Sequence, residues 1–233
     1  MFKSLLTAVT ILTASTAALY AAPKDDVAAA AKKLADADNY SWKSTTEGGF
    51  SSTAQGQTQK DGLTHLSSTF GDNTVEIVLK GDKGALKTDD GWKAASEVAT
   101  DQQGPQRFIA RMIQNFKSPA TQGKELAERT AELKKDDDAW AGDLTEEGAK
   151  SLLTFGRRGG AAANANAPAI AKARGSAKFW VNADGVLTKF QYNVKGTLTI
   201  NGEDRDVDRT TTIEIKDIGT TKVEVPAEAK SKL

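Results

Sequence analysis

Paired turn residues recur about every ten residues between Asn39 and Glu97, and this spacing constrains the fold more than any other feature of the chain. Glycine and aspartate mark the turns, at Gly48-Gly49, Asp61-Gly62, Gly71-Asp72, Gly81-Asp82 and Asp89-Asp90-Gly91. Turn signals at this spacing are typical of short antiparallel strands. The segment is therefore predicted to be a meander, with strands at YSWKSTTE, FSSTAQGQTQ, LTHLSSTF, TVEIVLK, GALKT and WKAASE.

A second set of strands is predicted in the last third of the chain, over 177–182, 186–200, 206–216 and 221–225. The turn Asn182-Ala183-Asp184-Gly185 suits a type I turn with Gly185 at positive φ. After it, polar and apolar residues alternate with the period of a half-buried strand. One face carries Val186, Thr188, Phe190, Tyr192 and Val194, and the other carries Leu187, Lys189, Gln191, Asn193 and Lys195.

Helices are predicted between and before these strands. DDVAAAAKKLADAD (25–38) has acidic residues first and lysines later, which favours a helix. A second helix is predicted at 104–119, because apolar residues recur there at helical spacing between Pro105 and Pro119. A further helix is expected at 122–134, and Thr145 is expected to cap a short helix at EEGAKSLLTF. Residues 156–175 are rich in alanine, glycine and asparagine and are predicted to be a mobile loop.

The predicted fold class is α+β, with a single large curved antiparallel sheet and helices on one face. Neither set of strands has enough large apolar residues to bury both faces alone, so both are expected in one sheet. The organisation expected is a signal peptide at 1–22 and a single domain at 23–233.

The first 22 residues have the pattern of a cleaved export signal. Lys3 precedes the uncharged apolar stretch LLTAVTILTASTAALY, and small residues follow it. No second long apolar run follows, so no transmembrane anchor is expected. The chain has no cysteine, which excludes disulfides, thiolate metal sites and a lipid-modified cysteine. A soluble, monomeric periplasmic or secreted protein is predicted.

Charge excludes some classes of partner. Basic and acidic residues number 31 each and are interspersed along the chain. Such a distribution has neither a phosphate-tracking stripe nor a polybasic membrane patch. No nucleic-acid partner is predicted, and neutral or apolar partners are expected.

Motifs for catalysis or cofactors are not found. The single histidine, His65, is interpreted as a semi-buried strand residue, because a His-based metal site needs further histidines. Asp204, Asp206 and Asp208 begin like a calcium loop, but Arg209 and threonines follow where glycine and glutamate are needed. No metal, no cofactor and no catalytic residue is predicted, and an enzyme is not expected. Carboxylate pairs that converge only in three dimensions stay open, as in a hydrolase.

Several segments resemble the bacterial lipoprotein-carrier superfamily of LolA and LppX. They are WAGDLTEEGAKSLL, the hairpin FWVNADGVLTKFQYNV and the closing TTIEIKDIGTTKVEVPAEAK, in the order signal, helix, meander, central helix, meander. The resemblance is strongest over 139–153 and 178–228. It implies a half-open barrel whose concave face is closed by helices and accepts acyl chains. The chain departs from the lipid-anchored branch because no cysteine follows the signal.

The leading functional hypothesis is an exported carrier or sensor of a lipid or other apolar ligand, without covalent chemistry. Small residues in the first meander leave room over the sheet, namely Ser44, Thr46, Ser52, Ala54, Gly56, Ser67 and Thr69. Periodicity indicates these ligand-lining residues: Trp42, Phe108, Met112, Phe116, Trp180, Phe190 and Tyr192. The alternative is a non-catalytic interaction or structural module, with a half-barrel filled by its own helices and an envelope protein as partner.

Overall fold

The computed structural model describes residues 23–49, 51–99, 113–154, 168–200 and 202–233. The described part begins with helix α1 (Pro23–Asp36), and the predicted signal peptide at 1–22 lies outside it. The predicted first meander follows as β1 (Asn39–Glu47), β2 (Ser52–Gln59), β3 (Thr64–Phe70), β4 (Asn73–Lys80), β5 (Lys83–Thr88) and β6 (Gly91–Ala94). Short helix α2 (Ala95–Ala99) continues directly from β6.

The second half of the described chain contains both helices and strands. Helix α3 (Pro119–Glu128) is followed by β7 (Lys134–Asp136), β8 (Ala139–Asp143) and helix α4 (Glu146–Leu153). Three long strands come next, β9 (Ala169–Val181), β10 (Leu187–Ile200) and β11 (Glu203–Lys216), and then the short helix α5 (Ala227–Lys230). The cap of α4 is as predicted, since the Thr145 hydroxyl accepts from the Gly148 amide. Gly185 has a φ of 73° in its turn.

Within the described residues, eleven strands form one antiparallel sheet in the order β6-β5-β4-β3-β2-β1-β11-β10-β9-β8-β7. The two predicted meanders meet where β1 pairs with β11, in a register that places Trp42 opposite Ile215. Strands β6 and β7 are the two ends of this order, so the sheet is open. The predicted α+β class and the single sheet are confirmed.

Alternation along the strands gives the sheet two different faces. We call one the core face; it carries Trp42, Leu66, Ile77, Phe190 and Ile213, all at most 6% exposed. The other is called the polar face; it carries Ser41, Lys43, Gln55, Gln57, His65, Ser67, Glu76, Glu214 and Lys216. Register therefore places Ser67 and Thr69 away from the small residues of the core face with which the sequence grouped them.

Helices α1, α3 and α4 share one hydrophobic core with the core face. Helix α1 contributes Val27, Ala30, Ala31 and Leu34, and it lies next to α3, where its two alanines take little room. In α3, Gly123 lies against β10, because a Cβ there would be 2.5 Å from Leu187 Cδ2. The largest fully buried side chains, Phe179 and Phe190, lie in this core.

The C-terminal segment (217–233) returns along the polar face. Ser41 Oγ donates to Asp217 Oδ2 at 2.6 Å, and the Gly219 amide donates to Asn39 O at 2.8 Å. Ala229 of α5 completes a small second cluster with Val78, Ala85 and Trp92. The strand predicted at 221–225 is wrong: these residues lie outside any strand, and Pro226, directly after them, is the N-cap of α5.

Two other boundaries and the direction of one side chain differ from the prediction. The mobile loop predicted at 156–175 extends too far, because β9 begins at Ala169 and pairs with the long β10; residues 155–167 lie outside the described part. A register irregularity between Leu187 and Lys189 turns Leu187 into the core, although simple alternation places it on the opposite face. The helix predicted at 122–134 instead begins at Pro119 and ends at Glu128.

Candidate functional site

Trp42 is at the centre of the core face and is held on three sides. Its indole Nε1 donates to Thr58 Oγ1 at 3.1 Å, and its ring lies 6.1 Å from that of Phe116. On β2, Gly56 gives the indole room, since a Cβ there would be 2.7 Å from Trp42 Cζ2. Next to it, burial raises the pKa of the Tyr40 hydroxyl. Trp42 and Phe116, two of the predicted lining residues, thus lie next to each other.

Phe190 and Tyr192 lie on the same face, further along β10. Phe190 is fully buried opposite Ile213 and beneath α3. Tyr192 is opposite Thr211 and half-buried against the core. Phe190 therefore packs against the protein itself, whereas Tyr192 keeps part of its ring accessible.

Trp180 is separated from the other predicted lining residues. Its neighbour Phe179 points into the core, so the strand period of two directs Trp180 to the polar face. There its Nε1 donates to Asp138 Oδ1 at 3.1 Å, and Lys189 Nζ lies 4.7 Å from the ring centroid. The grouping of Trp180 with Trp42 and Phe190 is corrected, because the two sets lie on opposite faces.

The remaining predicted lining residues, Phe108 and Met112, lie outside the described residues. Helical residue Ile113, which follows them, is 7% exposed and packs over β5, where a Cβ at Gly84 would be 2.5 Å from Ile113 Cγ2. The helix predicted at 104–119 is described only at residues 113 and 114 and ends there, so Phe116 lies after the helix and not within it.

Small side chains occupy the core face beyond Trp42. Ser44, Thr46, Ser52 and Ala54 follow it on β1 and β2 and are each half-buried. The Thr46 and Thr211 hydroxyls are 3.1 Å apart, so this polar pair is satisfied internally. The core face therefore changes from large, fully buried side chains to small ones within a few residues. Of these small residues, the four on β1 and β2 are partly accessible, whereas Ser68 and Thr211 are buried.

The polar face contains a cleft of about 820 Å³ that sequence reasoning missed. Its lining side chains belong to separate strands, so no local pattern could have predicted it. They include Ser41, Lys43, Gln55, Gln57, His65, Ser67, Glu76, Lys87, Glu214 and Lys216. Beside it, five cross-strand partners in succession are threonines, a pairing that stabilises sheets: Thr212, Thr45, Thr53, Thr69 and Thr74.

Each ring nitrogen of His65 contacts an oxygen atom. Nδ1 lies 2.6 Å from the main-chain oxygen of Glu224, and Nε2 lies 2.9 Å from Glu76 Oε1. Lys87 Nζ is 3.1 Å from the other oxygen of the same carboxylate. Burial acts to raise the pKa of Glu76, but the hydrogen bonds from His65 and Lys87 outweigh it, so the pKa is lowered. The imidazole is semi-buried, with 23% of its side chain exposed.

The aspartates of β11 bind side chains of the neighbouring strand β10. Thr199 donates to Asp204, Thr197 donates to Asp206, and Lys195 pairs with Asp208 at 2.7 Å. Among the described residues, no group of histidine and acidic side chains is arranged to hold a metal ion. No described helix is long and apolar enough to cross a membrane.

Comparison with protein-family models and with curated proteins returned no match.

Proposed function

We propose that the protein is an exported carrier or sensor that binds an acyl chain or similar apolar ligand on the core face, without covalent chemistry. The observation that carries this proposal is the change in side-chain size beside Trp42. Helix α3 packs over Phe190, whereas Ser44, Ser52 and Ala54 are half-buried.

The chemistry of this region suits a flexible apolar ligand. Methylene groups pack well against alanine, the threonine methyl groups and the edges of the Trp42 and Phe116 rings. The hydroxyls of Thr46 and Thr211 bond each other, so they demand no polar partner from a ligand. An acyl chain there would thus remove apolar surface from water, while the Thr46 and Thr211 hydroxyls keep their bond to each other.

The fold supports the same proposal. The sheet is open, and we propose that it curves into a half-barrel, with the helices closing its concave side. This arrangement would agree with the resemblance to lipoprotein carriers that the sequence shows.

A pair of neighbouring substitutions on β2 tests the proposal. Ala54→Phe adds a ring over the core face, whereas Thr53→Phe adds the same ring to the polar face. Binding of a fluorescent fatty acid should weaken at least tenfold in Ala54→Phe, which corresponds to about 1.4 kcal/mol, and should be unchanged in Thr53→Phe. Urea denaturation of both variants would show that each is folded. Mass spectrometry of the purified protein should detect bound lipid.

A second function is favoured by a different observation. Phe179, Phe190 and Val194 are completely buried by the protein itself, as in a filled module that binds another protein. In that case the folded wild-type protein binds no fatty acid and carries no lipid, and the two phenylalanine variants differ only in stability. Those results would refute the carrier proposal.

A further inference from the structure

His65 connects the sheet to the C-terminal segment through two hydrogen-bond acceptors. One is the main-chain oxygen of Glu224, 2.6 Å from Nδ1, and the other is the Glu76 carboxylate, 2.9 Å from Nε2. A carbonyl and an ionised carboxylate have no proton to donate. Both contacts are therefore hydrogen bonds only when both ring nitrogens carry a proton.

We propose that His65 is a pH-sensitive latch that holds the C-terminal segment on the polar face when the imidazole is protonated and releases it when the imidazole is neutral. The proposal is independent of the ligand on the core face. Histidine is the side chain that ordinarily changes charge between pH 5 and 8.

The two oxygens that contact His65 differ in strength as hydrogen-bond acceptors. This difference determines which contact is lost when the imidazole loses a proton. Neutral imidazole has a single N–H, and a carboxylate is a stronger acceptor than a peptide carbonyl. The proton therefore stays on Nε2, facing Glu76, and the lone pair of Nδ1 then faces the Glu224 oxygen. Two electron-rich atoms at 2.6 Å repel each other, so deprotonation weakens the contact with the segment.

The surrounding charges keep Glu76 ionised over this pH range. Lys87 on β5 pairs with its second oxygen at 3.1 Å, and the pKa of Glu76 is lowered. Gln57, the neighbour of His65 on β2, is neutral, and the Glu224 carboxylate is exposed. The other charged residues of the cleft are Lys43, Asp89, Glu214 and Lys216.

Release would uncover an apolar surface. Residues 217–226 of the segment pair with no strand. Further along the segment, Ala229 covers Val78, Ala85 and Trp92. The anchors at Ser41 and Asn39 lie at its beginning, so they do not hold its far end. Loss of the Glu224 contact thus leaves the far end of the segment held only weakly, by the small cluster around Ala229 and by the exposed ion pair of Lys232 with Glu97 at 3.8 Å.

Hydrogen exchange of the purified protein at pH 5.5 and pH 8.0, corrected for intrinsic exchange rates, tests the latch. Peptides covering 217–233 should lose about tenfold of their protection at pH 8.0, the effect expected for one charge-assisted hydrogen bond. A peptide from β10 serves as the internal reference and should keep its protection. Equal corrected protection of 217–233 at both pH values would overturn the proposal.

Two variants assign the effect to the imidazole. His65→Gln removes the only histidine, so the pH dependence should disappear; if it persists, the titrating group is another one and the proposal is wrong. In Glu76→Gln the amide can donate to Nε2, which leaves the proton on Nδ1 for Glu224. That variant should keep the segment protected at pH 8.0. Loss of protection equal to that of wild type would also contradict the latch.

Discussion

Replacing Gly56 by alanine should destabilise the protein, because the side chains of neighbouring strands fill the space above this glycine. The new Cβ would lie 2.7 Å from Trp42 Cζ2, 2.8 Å from Leu66 Cβ and 2.9 Å from the His65 oxygen. The indole can move, but the last two atoms belong to or adjoin the backbone of β3. Overpacking of this kind costs about 1–3 kcal/mol.

Two further contributions to the free energy of unfolding of Gly56→Ala have opposite signs. A displaced indole would weaken the buried hydrogen bond from Trp42 to Thr58, which contributes about 1 kcal/mol. Alanine is better than glycine inside a strand by about 0.5–1 kcal/mol. These terms nearly cancel, so the free energy of unfolding should fall by about 1–3 kcal/mol.

Urea denaturation followed by far-ultraviolet circular dichroism measures this change. Gly49→Ala is the control, because a Cβ at Gly49 would meet no atom within 4 Å, while the φ of +69° at this residue disfavours alanine; it reports backbone strain alone. In a double-mutant cycle, Trp42→Phe should remove part of the cost of Gly56→Ala, with a coupling of at least about 0.5 kcal/mol. A Gly56→Ala protein as stable as wild type, or strictly additive effects, would refute the described packing of Trp42.

Three further predictions concern the cap of α4, the two faces of β9 and the ion pair of Glu76. Thr145→Ala removes the cap of α4 and should lower the free energy of unfolding by about 1 kcal/mol, measured by urea denaturation; an unchanged midpoint would contradict the cap. Phe179→Ala should cost about 3–5 kcal/mol and Trp180→Ala much less, because only the first is in the core; equal losses would contradict the assignment of faces. Carboxyl titration by NMR should show a lowered pKa for Glu76 that rises in Lys87→Met. Since the folded pKa is lowered, the stabilisation by Glu76 is present above the unfolded pKa and is lost as pH falls through the folded pKa; an ordinary pKa in wild type would refute the ion pair.

Local signals predicted the meanders well because each turn has its own chemistry. Glycines at positive φ, such as Gly185, define hairpins, and alternation then assigns faces to the strands. The sequence did not predict the early part of β9, because alanine and glycine, which are frequent there, have little strand propensity. Its strand conformation comes from pairing with β10, which is a tertiary effect.

The candidate sites were only partly predictable for a similar reason. Trp42, Phe116, Phe190 and Tyr192 contact the same core. A period of two is a local property, so the sequence could place Phe190 and Tyr192 on one face of β10. Trp42 shares that face through the register of β1, β11 and β10, which no local pattern indicates. The partners of His65, by contrast, are Glu76 on the next strand and a main-chain oxygen near the C terminus. A hydrogen bond to a peptide oxygen has no signature in the side-chain sequence, so nothing local indicated the contact with Glu224.

The junction between β1 and β11 has a consequence for how the chain folds. Each meander forms from hairpins between sequence neighbours, but this junction pairs strands from opposite ends of the described chain. Such non-local pairing slows folding, because a long loop must close before the contacts form. Until then, β1 and β11 are both unpaired edges with complementary registers. At high concentration the β1 edge of one molecule can meet the β11 edge of another, so refolding should yield domain-swapped dimers that dilution suppresses.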